Sequence, residues 1–178
     1  MVIDFESRTN QKLEFAKISL EEIKSRPEPG LIDYFQRSHE ENFLFHLVGA
    51  KDSFLQEINV AYGLGVDIEK VDECKLLEKL KRQKRESTEL NEIIELKYNK
   101  SEWFAIAIGL RNKGSHRFHL TRLYRETDNE NKGKIYLLDP FTDKNMDDDC
   151  ITFLTRCLNE MKALLQQLRK TFPNVDIS

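Results

Sequence analysis

Apolar residues return every three or four positions in several long stretches of the chain, a pattern typical of helices that bury one face. The clearest stretch follows Ser38 and spans about five helical turns. Its apolar positions are Phe43, Leu47, Ala50, Phe54, Ile58 and Ala61. Ser38 and Glu41 have the spacing of a capping box, so the pattern predicts a helix that begins at Ser38. Gly63 and Gly65 indicate where this helix ends.

A second stripe with helical spacing begins after Ser87 or Thr88, either of which fits the N-cap position. The stripe consists of Leu90, Ile94, Lys97, Ser101, Phe104, Ile108 and Arg111. It predicts one long helix that directs Arg111 toward a partner helix. Gly114 is expected to end this helix as its C′ residue.

The remaining segments have patterns of their own. Helical spacing predicts an N-terminal helix over residues 10–26 and a C-terminal helix over residues 148–172. Polar and apolar residues alternate in RFHLTRLYRE and KIYLLDP, which flank the polar loop TDNENKG, so we expect a β-hairpin at about 117–140. The charged region 67–86 has one thin apolar face, formed by Leu76, Leu77 and Leu80.

Together these patterns predict a single all-α domain over residues 1–178. The expected fold is an antiparallel bundle of about four or five helices, with a core over 38–113 and a small inserted β-hairpin near 117–139.

The composition is that of a folded domain, with 39% hydrophobic and 33% charged residues. The longest apolar run, near Trp103, is far too short to span a bilayer, and the first residues lack the features of a secretory signal. Three cysteines without a CxxC pair favour neither a disulfide framework nor a zinc knuckle. We therefore expect a cytoplasmic protein that does not associate with membranes.

The formal net charge of −3 argues against nucleic-acid binding through overall charge. One segment is nevertheless strongly basic and contains no acid, and its cations and histidines are Arg111, Lys113, His116, Arg117, His119, Arg122 and Arg125. Two interpretations stay open at this point, a solvated basic surface and a local contact with nucleic acid.

Several catalytic signatures are missing from the sequence, including a glycine-rich phosphate loop, an HExxH motif and a nucleophile elbow. On a strand, His116 and His119 would point to opposite faces, so we expect no metal site and no cofactor. His39 and His46 lie on the helix after Ser38 and are expected to be structural, with His46 the one that can face a cleft.

The hexapeptide RNKGSH at 111–116 is similar to the RX4–6H motif of the HEPN superfamily, the higher-eukaryote and prokaryote nucleotide-binding domains. That family carries its motif near the end of a long core helix in a helical bundle. A polar residue after the arginine is typical there, and Asn112 matches it. The resemblance covers about 38–117. The ordinary interpretation is a helix terminus, with Arg111 complementing the dipole and His116 making a C-cap contact.

The resemblance implies a metal-independent endoribonuclease, in which the ribose 2′-OH attacks the adjacent phosphate and leaves a 2′,3′-cyclic phosphate. Arg111 would clamp the phosphate, His116 would act as general base or acid, and Asn112 would orient the histidine or bind the phosphate. The implied contacts with the RNA backbone are Lys113, Arg117, His119, Arg122 and Arg125. Tyr124 or Phe118 would stack on a base.

The resemblance also implies a homodimer with a composite active site. Such enzymes act as toxins or as anti-phage defence effectors, so an antitoxin or a defence-system partner would be expected. Two alternatives are a non-catalytic HEPN module that binds nucleotides or proteins, and a helical scaffold whose resemblance is accidental.

Overall fold

The computed structural model describes residues 5–26, 34–116, 120–126 and 133–177. Within these ranges the chain forms six α-helices and one two-stranded antiparallel sheet, so the predicted all-α bundle with a small hairpin is confirmed. The elements are α1 (Phe5–Lys24), α2 (Tyr34–Ala61), α3 (Glu73–Arg82), α4 (Thr88–Tyr98), α5 (Trp103–His116), β1 (Arg122–Glu126), β2 (Gly133–Leu137) and α6 (Cys150–Thr171). Two 3-10 helices, Ile68–Lys70 and Pro173–Ile177, complete the described elements.

The central element is α2, against which α1, α5 and α6 pack. Its predicted stripe forms the middle of the core, and Phe43, Leu47, Ala50, Phe54 and Ile58 are fully buried. The chain leaves α2 through Gly63 and Gly65, whose φ angles of +56° and +66° are strained for any residue with a side chain. The predicted end of this helix is confirmed.

The predicted beginning of α2 is wrong. Residues 34–37 are already helical, so Ser38 lies inside the helix instead of capping it. The Ser38 hydroxyl donates a hydrogen bond of 2.7 Å to the carbonyl oxygen of Phe35. This bond within the helix replaces the expected exchange with Glu41, because serine can satisfy a carbonyl of the preceding turn as well as a free N–H.

The long helix predicted from Ser87 to Gly114 is also wrong, because the structure divides it into α4 and α5. Ser87 does cap α4, and its hydroxyl accepts a hydrogen bond from the N–H of Leu90. The helix then ends at Asn99, whose side chain accepts from the N–H of Ser101 and whose carbonyl accepts from Glu102. Asparagine competes locally for backbone groups in this way and favours a turn over a continuing helix.

The thin apolar face predicted for the charged region forms the buried side of α3, where Leu76, Leu77 and Leu80 contact the core. Asp72 caps α3 through the N–H of Lys75. Next to the cap, buried Glu73 forms ion pairs with Lys51 at 2.6 Å and with Lys97 at 3.1 Å. These pairs connect α3 with α2 and α4.

The hairpin lies where it was predicted, and its register runs from Arg122 opposite Leu137 to Glu126 opposite Gly133. A Cβ atom on Gly133 would overlap the end of the Tyr124 ring, so any other residue at this position would require Tyr124 to move. The C-terminal helix α6 begins after Asp149, whose carboxylate accepts a hydrogen bond from the N–H of Thr152. Residues 117–119 and 127–132 of the predicted hairpin lie outside the described part of the chain.

Candidate nucleic-acid interface

The last turns of α5 and the N-terminal half of α2 enclose a cleft of about 180 Å³. Its lining residues are Glu41, Asn42, Leu44, Phe45, Leu110, Arg111 and Gly114. Leu44 and Leu110 are buried and form the apolar base of this α2–α5 cleft. The cleft therefore combines an apolar interior with polar and aromatic side chains around it, as small-molecule sites do.

Arg111 is the cation of the α2–α5 cleft, and its side chain is 28% exposed. Its Nε and Nη2 donate hydrogen bonds of 3.2 and 3.0 Å to the Oδ1 atom of Asn112. Its Nη1 lies 4.0 Å from the Asp52 carboxylate on α2. Asn112 thus orients the guanidinium group, which lies near Asp52 of α2 with part of its surface open to solvent.

Gly114 does not end α5 as the sequence predicted, because α5 continues to His116. A Cβ atom on Gly114 would approach the Cγ atom of Glu41 to 3.4 Å, so this glycine sits where α5 and α2 come together. The backbone of His116 lies a little more than one helical turn beyond Arg111. The side chain of His116 is outside the described part of the structure.

Two residues at the cleft, Lys12 and Phe45, were missed by the sequence analysis. Lys12 of α1 places its Nζ atom 5.2 Å from the centroid of the Phe45 ring, above Gly49, which has no side chain to block it. Burial and the neighbouring Arg8 lower the pKa of Lys12, while Asp52 acts in the opposite direction. A signal for Phe45 was present, since it is a large apolar residue outside the buried stripe of α2.

His46 is the histidine that the described structure places next to this site. Its ring contacts Phe15 and Phe45, with centroid separations of 5.1 and 5.3 Å. Burial and the charge of Lys12 lower the pKa of His46, so the ring is neutral at pH 7. Within the described residues its Nδ1 atom has no hydrogen-bond partner.

The structure describes Lys113, Arg122 and Arg125 among the residues predicted to contact RNA. Lys113 is partly exposed and forms an ion pair of 2.6 Å with Asp143. Arg125 is exposed, and its guanidinium lies 5.0 Å from the centroid of the Tyr136 ring. Arg117, Phe118 and His119 lie outside the described residues.

Arg122 is placed differently, and the prediction that it contacts RNA is wrong. Its side chain is completely buried, and it donates hydrogen bonds of 2.9 and 2.5 Å to the Glu40 carboxylate. Glu40 also accepts from Gln36 and from the Cys150 thiol. Burial raises the pKa of Glu40, while Arg122 and the other donors act in the opposite direction. Arg122 therefore joins the hairpin to α2 and faces no solvent.

A family model matches residues 1–173, which is nearly the whole chain. The chain belongs to the DUF6586 family. Its description is that of a family of unknown function, so membership assigns no reaction. No curated protein and no solved structure matches the chain.

The described residues of this DUF6586 protein contain no group of three or more His, Cys, Asp and Glu side chains that could hold a metal ion. In the same ranges, none of the helices has the length and apolar character needed to cross a bilayer. The cleft offers the oriented guanidinium of Arg111, the carboxylate of Glu41 and the aromatic ring of Phe45, over which Lys12 lies from α1. This combination suits a ligand with negative charge and flat rings.

Proposed function

We propose that this DUF6586 protein is a metal-independent endoribonuclease whose phosphate clamp is Arg111. The observation that carries the proposal is the partly exposed Arg111 guanidinium, which Asn112 orients beside a cleft near the end of α5. The same helix ends at His116, and the segment between them resembles the HEPN motif. A bidentate, oriented guanidinium is the group that best matches the oxygens of a phosphodiester.

In the proposed reaction the ribose 2′-oxygen attacks the adjacent phosphorus and the bond from phosphorus to the 5′-oxygen breaks. His116 accepts the proton of the 2′-OH or donates a proton to the leaving 5′-oxygen, since imidazole titrates near neutral pH. Arg111 stabilises the charge that develops on the non-bridging oxygens. The products are a 2′,3′-cyclic phosphate and a 5′-OH end.

The assembly and the biological role are proposed from the resemblance. Two chains would form a homodimer in which the two motifs face a common RNA strand, so that one His116 acts as base and the other as acid. Lys113, Arg117, His119 and Arg125 would hold the RNA backbone outside the cleft. The enzyme would work in the cytoplasm as a toxin or an anti-phage effector, together with an antitoxin or a defence-system partner.

A second candidate is a non-catalytic module that binds a nucleotide or a protein. The distance of 4.0 Å between Arg111 and Asp52 favours this candidate. A carboxylate beside the arginine weakens the electrostatic stabilisation that the guanidinium can give to a negatively charged transition state. This candidate predicts affinity for RNA or nucleotides without turnover.

The deciding experiment is the incubation of a mixed RNA pool with the purified protein in EDTA, alongside His116→Ala and Arg111→Lys. We expect cleavage with cyclic phosphate ends in the wild type and a loss of at least about 100-fold in both variants. His39→Ala is the matched control, because it removes a histidine outside the motif and should cleave normally. Intact RNA with all proteins folded, or full activity of His116→Ala, would contradict the proposal.

A further inference from the structure

Phe45 is an exposed aromatic residue in the middle of an otherwise well-packed helix. Its side chain is 54% exposed, whereas its neighbours Phe43 and Leu44 on α2 are fully buried. The ring lines the α2–α5 cleft and is not needed to fill the core. An exposed ring that lines a cleft is available to stack on a flat ligand.

Two cations, Lys12 and Arg111, lie near this ring or line the same cleft. On the α1 side, Lys12 lies over the ring at 5.2 Å from its centroid. On the α5 side, Arg111 lines the same cleft. Proteins that bind single-stranded nucleic acid use this combination, in which an aromatic face stacks on a base and nearby cations hold the phosphates.

The polar residues of the cleft suit the edge of a base. Glu41 and Asn42 line the cleft together with the apolar side chains of Leu44 and Leu110. An ionised carboxylate only accepts hydrogen bonds, so Glu41 selects a ligand edge that carries N–H donors. Adenine, cytosine and guanine offer an exocyclic amino group, whereas uracil offers only the single N–H of its ring, which lies between two carbonyl groups that a carboxylate would repel.

We propose that the α2–α5 cleft holds one unpaired nucleobase of RNA, stacked on Phe45, with the Glu41 carboxylate accepting from its exocyclic amino group. The inference rests on the proposed function for its ligand class, RNA. It assigns the residues that determine base selectivity and not those that cleave the RNA. A second copy of this chain is a less suitable occupant, because Lys12 over the ring and Arg111 in the cleft favour a polyanion.

The test uses the full chain and fluorescent 2′-O-methyl hexamers of uridine in which one central base is U, A, C or G. The 2′-O-methyl group prevents attack by the 2′-oxygen, so binding is measured apart from cleavage. Fluorescence anisotropy at fixed salt gives the Kd of each hexamer. We expect the all-uridine hexamer to bind weakest and Phe45→Ala to weaken binding about tenfold, which corresponds to about 1.4 kcal/mol.

Phe45→Trp keeps a stacking surface and should retain the affinity. Tyr98→Ala removes an exposed ring outside the cleft and should leave the Kd unchanged. Glu41→Gln should reduce the preference for amino-bearing bases over uridine while the protein still binds. These three variants separate stacking and base selection from a general loss of exposed surface.

Three results would overturn the inference. One is an unchanged Kd in Phe45→Ala, and another is equal binding of all four hexamers by the wild type. The third is dissociation of a dimer by Phe45→Ala, which sedimentation would detect and which would assign Phe45 to contact between two copies. The cleavage assay with His116→Ala is independent of these three results. The proposed ribonuclease activity is therefore tested separately from the proposed base-binding site.

Discussion

Arg111 and Arg122 were both predicted to bind RNA, and the structure places them in opposite environments. Arg122 is completely buried and is held by the Glu40 carboxylate. Arg111 keeps 28% of its side chain exposed, is oriented by Asn112 and lies 4.0 Å from the Asp52 carboxylate. Both arginines have an acidic neighbour on α2, yet only one of them can meet a ligand.

The difference shows that the positively charged residues of one basic segment can have two roles, in a buried ion pair or at a partly exposed site. A buried pair such as Glu40 and Arg122 exchanges its hydration for mutual hydrogen bonds, so removing one partner leaves an unpaired charge in the core. A partly exposed pair such as Asp52 and Arg111 is screened by water and contributes little to stability. The first holds the fold together, and the second is available for function.

The largest expected effect comes from Glu40→Ala. We expect it to reduce the free energy of unfolding by about 3–5 kcal/mol, because Arg122 would stay buried without a carboxylate. Asp52→Ala removes a half-exposed carboxylate that lies near Arg111 and also pairs with Lys51. Because Lys51 keeps Glu73 as a partner, this variant should lower the free energy of unfolding by only about 1 kcal/mol. Urea denaturation of the two variants measures both values.

A double variant makes this comparison sharper. Glu40→Leu combined with Arg122→Met replaces the charge pair with apolar side chains of similar size and should be much more stable than Glu40→Ala. Equal losses in Glu40→Ala and Asp52→Ala would show that the contrast between the two arginines does not hold.

A middle-sized effect concerns Glu73, a buried carboxylate that resembles Glu40 in burial but differs in its pKa. Burial opposes ionisation of Glu73, but Lys51 and Lys97 outweigh it, so the pKa of Glu73 lies below its ordinary value. A lowered pKa contributes stability above the unfolded value of about 4.3, and this contribution is lost as the pH falls.

The wild type should therefore lose stability as the pH decreases from about 5 to 3, and Glu73→Gln should flatten that slope. At pH 7 the variant should be less stable by about 2 kcal/mol, since Lys51 and Lys97 lose the carboxylate that they share and Lys51 keeps only Asp52. Urea melts at several pH values provide the measurement. Parallel slopes in the two proteins would contradict the assignment of this pH dependence to Glu73.

The smallest expected effect is a gain in stability from a substitution in α5, the helix that carries Arg111. Gly114→Ala should raise the free energy of unfolding by about 0.5–1 kcal/mol, because Gly114 lies inside α5 and alanine favours a helix. The new methyl group would touch Glu41 at an ordinary distance. Thermal unfolding measures the gain, and a loss of stability would indicate that α2 and α5 cannot accept the methyl group.

The fold was largely predictable, because local spacing determines which residues a helix buries. The stripe of α2 and the glycines that end it came from the sequence alone. The break at Asn99 did not, since helical spacing continues across it from Ile94 to Phe104. Asn99 favours a turn, and this local preference outweighed the helical spacing of the apolar residues.

The candidate site was predictable only where its residues are neighbours in the chain. Arg111 and Asn112 were both expected there. Lys12 and Phe45 were not, because they come from α1 and α2 and meet only through packing. The burial of Arg122 depends on a carboxylate 82 residues earlier, a distance over which residue spacing contains no information.

The turn at 99–102 makes the orientation of Arg111 independent of the length of the chain before α5. In an unbroken helix, one inserted residue would rotate everything after it by about 100°. Here the turn separates the rotational phase of α5 from that of α4, and the packing of α5 on α2 sets its direction. We therefore expect that an insertion or deletion of one residue in this turn would leave the orientation of the Arg111 guanidinium toward the cleft unchanged.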